Sequence, residues 1–363
     1  MLISSSSISA SMTSPFPLLR LPGVVLCEIF KSLNIGEKIQ LSLCSKKVSI
    51  QINNARMYSQ KVIVNLDCSC HEIKVYSENY KDSFEIFAHF NYGICDPNSI
   101  KVEGRTVSVI SVHHGIKTFW RNHQEGFISV IRHLLKIFRC KFSINNNYCN
   151  DSYEKTISEL FDLQEEFKTL TINFERAEDQ HFWNQISNKL GMVENLIISS
   201  TFDSDIIPAF TSWPQKITIM NSNWVTLQTL LSCPCSSINI QKSRLENKDL
   251  DEILKNWKSG GFPNLERLEI QSRNITSFLA TILGMNLEDL HGKVIQTDDG
   301  SKKAIIRSRG QCIVIKDRQE YILAIVLEVT AVWECQSVAL VRPQVVQTRI
   351  LREISGTTFE VEA

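Results

Sequence analysis

A chain of 363 residues that is 43% hydrophobic and 21% charged holds enough apolar material for a large core without cross-links. Its 39 basic residues balance 39 acidic ones, so no field of one sign surrounds the molecule and direct binding to a nucleic-acid backbone is disfavoured. Eleven cysteines, an odd number spread along the whole chain, fit unpaired thiols in a reducing compartment, cytosol or nucleus, rather than a disulfide framework.

Residues 1–14 are rich in serine and lack the basic and apolar parts of a signal peptide, so a disordered start is expected. Residues 15–58 read as two or three short helices: Val25, Ile29, Phe30 and Leu33 recur at helical spacing, and Ile39, Leu41, Leu43 and Val48 follow. Pro22 marks the first helix start. Residues 60–139 form a β-rich segment with alternating runs at Val62, Val64 and Leu66, at Ile73 and Val75, at Phe84 and Ile86, and at Val107 and Val109. One amphipathic helix over 124–138, through Phe127, Val130, Ile131, Leu134, Leu135 and Phe138, closes it.

Over 140–316 short strand cores alternate with helical stretches. The cores are Phe142 and Ile144, Leu170 and Ile172, Leu196 and Ile198, Ile217 and Ile219, Ile238 and Ile240, and Leu268 and Ile270. Intervals of about 21 to 30 residues, with helices over 179–190 and 246–257 between strands, suit a leucine-rich-repeat-like array in which each unit buries its apolar face against its neighbours. The Asn or Cys ladder position of a regular leucine-rich repeat is missing, and an ordinary α/β domain with short helices is the other reading. Residues 288–316 read as a β meander around the turn Asp298, Asp299 and Gly300. The fold class is thus α+β or α/β: helical start, small sheet, strand-helix array, closing meander. Residues 317–363 carry no assigned structure. The apolar run over 321–341 contains Glu328 and Glu334, which argues for strands or core and against a membrane span.

Chemistry-bearing clusters are sparse. Cys68, Cys70 and His71 lack a second ligand pair at finger spacing, and Cys233 and Cys235 lack a nearby His. His113, His114 and His123 have no Glu at helical offset, and no phosphate loop, nucleophile elbow or kinase set occurs. No catalytic, cofactor-binding or metal-binding residue is therefore expected, and no cofactor.

The first helical segment carries a resemblance. Phe16, Leu21, Pro22, Leu26, Ile29, Phe30 and Leu33, then Glu37, Ile39, Leu41 and Ser42 before the basic Lys46 and Lys47, resemble an F-box. Where that family often has Cys-Arg-x-Trp, this chain has Ser45, Lys46, Lys47 and Val48. Phe167, Trp213, Pro214, Ile217, Trp224, Leu250, Trp257, Gly260, Gly261, Asn264 and Leu268 are similar in order to the type 2 F-box-associated domain, a family expanded in nematodes.

The resemblance implies a substrate-receptor subunit of a Skp-cullin-F-box ubiquitin ligase, cytoplasmic or nuclear, that is not itself an enzyme. Leu21, Pro22, Leu26, Ile29, Phe30, Leu33, Leu41 and Ser42 would contact the Skp-type adaptor, and through it a cullin-RING complex. A protein target would meet the positions that follow the strand cores, Asn173, Ser199, Met220, Gln241 and Gln271, which alternation turns outward. An adaptor-bound scaffold outside any ligase shares every one of these features. Neither nucleic acid nor membrane is an expected partner.

Overall fold

The computed structural model describes residues 18–55, 62–77, 81–91, 93, 98–145, 151–163, 166–173, 179–199, 209–276, 281–309 and 312–317. The expected disordered start, the apolar run over 321–341 and the tail from 318 lie outside them.

A short 3-10 turn, Leu18–Arg20, leads into α1 (Gly23–Ser32), α2 (Ile35–Cys44) and α3 (Lys46–Ala55). Pro22, at φ −54°, stands immediately before α1, where its missing N–H breaks no helical bond. The start of α2 is fixed by a capping box: Asn34 Oδ1 accepts from the Glu37 N–H at 2.9 Å, and the Glu37 carboxylate accepts from the Asn34 N–H at 2.9 Å.

The antiparallel part of the sheet follows, with β1 (Val62–Asp67), β2 (Glu72–Ser77), β3 (Ser83–Phe90), β4 (Ser99–Val102), β5 (Arg105–Val112) and β6 (Gly115–Trp120). The sequence shows β1, β2, β3 and β5 as alternating runs but hides β4 and β6. Strand β6 lies between β3 and β5, parallel to the first. Its first residue must be glycine, because a Cβ on Gly115 would fall 1.8 Å from the Glu85 carbonyl oxygen. Helix α4 (His123–Phe138) covers β3 and β6, its N-terminus capped by Asn122 Oδ1, which accepts from the N–H groups of Gln124 and Glu125.

From there strands and helices alternate except between β9 and β10, where no helix is described: β7 (Phe142–Ile144), α5 (Asp151–Asp162), β8 (Phe167–Ile172), α6 (Asp179–Ile186), β9 (Val193–Ile198), β10 (Lys216–Ile219), α7 (Leu227–Leu231), β11 (Ser237–Ser243), α8 (Asn247–Lys258) and β12 (Arg267–Ser272). Strands β7 to β12 stand in chain order, each parallel to the next, and β1 pairs in parallel with β7. The sheet therefore runs unbroken from the antiparallel part into the parallel one. After α9 (Leu287–Leu290), the antiparallel strands β13 (Val294–Gln296), β14 (Lys303–Arg309) and β15 (Cys312–Asp317) close it, β15 lying against β12.

One face of this sheet is the core. The strand-core pairs from Phe142 and Ile144 through Leu268 and Ile270 all point to it and are fully buried. Tyr153, Ile157, Leu160 and Phe161 of α5, Phe182, Trp183 and Ile186 of α6, and Leu250, Ile253, Leu254 and Trp257 of α8 cover them. Burial on that scale, about 1.5–3 kcal/mol per large apolar side chain, holds the units in register.

Where a regular repeat would use one asparagine ladder, serines and asparagines tie neighbouring connections here. Asn221 Nδ2 donates to the Ser199 carbonyl at 2.8 Å, Ser222 Oγ to Gln241 at 2.7 Å, and Ser272 Oγ to Ser243 at 3.0 Å. Asn247 clips the next connection by donating to the Thr276 carbonyl at 2.7 Å and accepting from its N–H at 3.0 Å. These bonds tie the backbone of each unit to that of the next.

Candidate functional site

The three N-terminal helices have more apolar surface than they hide. Leu26 and Phe30 of α1 pack on Val48, Ile52 and Ala55 of α3 and on Ile137 of α4, with Leu21, Cys27, Leu33 and Leu41 partly buried around them. Helix α2 faces the other way: Ile35, Ile39 and Leu43 enter the core of the sheet. What remains uncovered is an apolar margin around α1. Val24 is 77% exposed and Val25 43%, with Leu19 at 40%, the exposed Pro22 beside them, and Ile50 at 49% on α3.

The sequence-derived contact residues divide accordingly. Pro22 is exposed, and Leu21, Ile29, Leu33 and Leu41 are half-buried and accessible. Leu26, Phe30 and Ser42 are enclosed in the chain as it stands, at 4%, 1% and 3% exposure. Helical periodicity marks apolar positions without saying which of two apolar faces is internal, and α1 has both. Val24 and Val25, the most open apolar residues of α1, are the ones the contact set omitted.

Ser42 has a structural task. Its hydroxyl lies 2.6 Å from the Ile39 carbonyl oxygen and 2.9 Å from His133 Nε2 of α4, joining the helical hairpin to the body. Burial holds the His133 imidazole well below its usual range, at about 4, against a smaller opposing pull from Glu103. Lys38 of α2 is buried along its stem, which lowers its pKa, while Asp82 and Glu37 counter that.

Against this geometry stand the comparisons with known proteins. The F-box domain model matches residues 18–60, and the F-box associated model matches residues 205–270, from before β10 into β12. The chain carries an F-box and an F-box-associated domain. Among Caenorhabditis elegans proteins it is 23% identical over 316 residues to the E3 ubiquitin-protein ligase hecw-1, covering 77% of this chain and 24% of that one. It is 21% identical over 289 residues to an uncharacterized protein, covering 76% and 65%, and 22% identical over 306 residues to the F-box associated domain-containing protein sdz-33, covering 81% and 94%. The chain thus spans less than two thirds of the first two relatives. No solved structure matches it at a significant level.

In the F-box-associated part, no described helix covers the face of the sheet opposite α5, α6 and α8. Asn173, Ser199, Met220, Gln241 and Gln271 each follow the second apolar core residue of a strand, and those core residues are in register from Ile172 through Ile270. Met220 and Gln271 are exposed and the others half-buried, so the row is continuous across five strands. The tryptophans are internal by comparison. Trp224 is 6% exposed, and Trp213 stacks on Phe210 with ring centroids 4.2 Å apart.

The soft-ligand clusters do not converge. Cys68 is buried and its thiol pushed up by burial, while Cys70 is exposed and raised chiefly by Asp67. His71 meets His123 ring to ring at 4.5 Å, and His113 meets His114 at 4.1 Å. Cys235 Sγ donates to the Pro214 carbonyl at 3.0 Å inside the core. Among the described residues no group of three or more such side chains is placed to hold a metal ion, and no helix is long and apolar enough to cross a membrane.

Proposed function

We propose that this chain is the substrate-receptor subunit of a Skp-cullin-F-box ubiquitin ligase. The observation that carries the reading is the F-box match over residues 18–60 coinciding with an apolar α1 margin, Val24 foremost, that the chain leaves bare. A Skp-type adaptor covers that margin together with Leu21, Pro22, Ile29, Leu33 and Leu41, while Leu26, Phe30 and Ser42 support it from within. The adaptor brings the cullin-RING complex, and the array holds a protein target, so that target lysines gain effective concentration beside a conjugating enzyme. No catalysis is assigned to the chain itself; the two matching domain models are not enzymatic.

We read the parallel array as leucine-rich-repeat-like, a reading supported by strands β7 to β12 standing in chain order with helices on one face. Its open face, including the row from Asn173 to Gln271, is the target surface. The setting is the cytoplasm or nucleus. A pull-down of the full chain and of a Leu33→Ala, Leu41→Ala double variant, probed for adaptor and cullin, tests this: capture of both by the wild type alone supports the receptor. Capture of adaptor without cullin favours a scaffold outside any ligase.

A further inference from the structure

The open face changes character at its β15 end. On β10, β12, β15 and β14 the outward positions include Lys216, Arg267, Lys316, Arg307 and Lys303, and register sets Lys216, Ser237, Arg267 and Lys316 side by side on successive strands. The only carboxylate among the described outward positions of these strands is Glu269, which Arg267 engages at 2.6 Å. Lys216, Lys316, Arg307 and Lys303 have no carboxylate within ion-pairing reach among the described residues, and Arg307 and Lys303 are exposed. A neutral chain has thus gathered cations on one patch and, among the described residues, left all but Arg267 without a carboxylate.

We infer that this patch is a docking surface for an extended acidic peptide of the target protein that turns both carboxylate and aliphatic side chains towards the sheet. Four strand steps separate Lys216 from β14, about 19 Å at ~4.8 Å per step, which an extended segment of about six residues crosses. Apolar positions lie among the cations: Val314 is opposite both Glu269 and Arg307, Ile305 is opposite Lys316, and Val294, 47% exposed, is opposite Ile305. Those spots suit aliphatic side chains and offer a phosphodiester backbone nothing. Among the described outward residues of β10 to β15 none is aromatic, so bases of a single strand find no stacking platform. Glu269 in the middle repels a continuous run of phosphates.

The inference rests on the receptor reading only for whose peptide is bound. Its test uses the full chain and a labelled synthetic peptide of repeated Glu-Glu-Val-Val, which carries both side chains on each face, titrated by fluorescence anisotropy at low and high salt. Expected is saturable binding that weakens with salt, about tenfold or more in Arg307→Glu, Lys316→Glu, and that is absent for the Lys and Val counterpart. Equal binding of the Lys peptide, indifference to the double charge reversal in a folded variant, or tighter binding of a single-stranded oligonucleotide would overturn it. Adaptor capture is measured on the same samples. If wild type binds the peptide but no adaptor, the receptor reading fails while the patch stands; adaptor capture without peptide binding refutes the patch alone.

Discussion

The bare α1 margin makes a separable prediction about binding and folding. Val24 is 77% exposed, so its side chain contributes little to packing and is available to a partner. Full burial of a valine is worth about 1.5–3 kcal/mol, and the exposed share of that, about 1–2 kcal/mol, is what a docked adaptor gains. Val24→Asp forfeits it and adds a carboxylate that the interface must desolvate, so affinity for a purified Skp-type adaptor should fall about tenfold or more. The melting temperature should stay within the scatter of the wild type. Phe30→Ala reverses the pattern: at 1% exposure in the α1–α3 core it should cost about 3–5 kcal/mol of stability. Calorimetric titration with adaptor, paired with thermal melts, reads both. A folded Val24→Asp chain that binds adaptor as tightly as wild type would refute the assignment of this margin.

Other outcomes follow from the fold. The His133 imidazole is held at about 4 in the folded chain against about 6.5 for a free histidine, so the unfolded state takes up the proton first as pH falls. Stability associated with it is complete above pH 6.5 and is lost as pH falls towards 4, on the order of 3 kcal/mol, and His133→Gln should flatten that loss in denaturant melts across the same window. Gly115→Ala should destabilise by about 3 kcal/mol or more, since the new methyl meets the Glu85 carbonyl; a neutral result in thermal melts would mean β3 and β6 are not paired this closely. Asn247→Ala should cost about 1–3 kcal/mol in urea melts by orphaning both Thr276 backbone groups.

Much of the strand pattern is visible in the sequence because burial on one face enforces a period of two. The six cores from Phe142 to Ile270 are all strands, and the helix expected over 124–138 is α4, His123–Phe138. The meander over 288–316 is β13, β14 and β15. What stays hidden depends on neighbours distant in sequence. Strand β6 has Ile116, Thr118, Phe119 and Trp120 all buried, so it shows no alternation, and β4 is too short to show any. The serine and asparagine ties between connections could not be seen either, because their spacing follows loop geometry rather than a repeat motif. At the helical end, Leu26 and Phe30 look like docking anchors until α3 and Ile137 are placed against them. Val24 and Val25 look like ordinary helix residues until their exposure is known.

The N-terminal helices are proposed to dock an adaptor and, through it, a cullin. Mixing the purified full chain with a purified Skp-type adaptor and cullin, then resolving the mixture by size-exclusion chromatography with light scattering, addresses it directly. One peak containing all three at equal stoichiometry is expected, and it is lost when the Val24→Asp chain is used. A folded wild-type chain that elutes alone, with adaptor and cullin in their own peak, would contradict it.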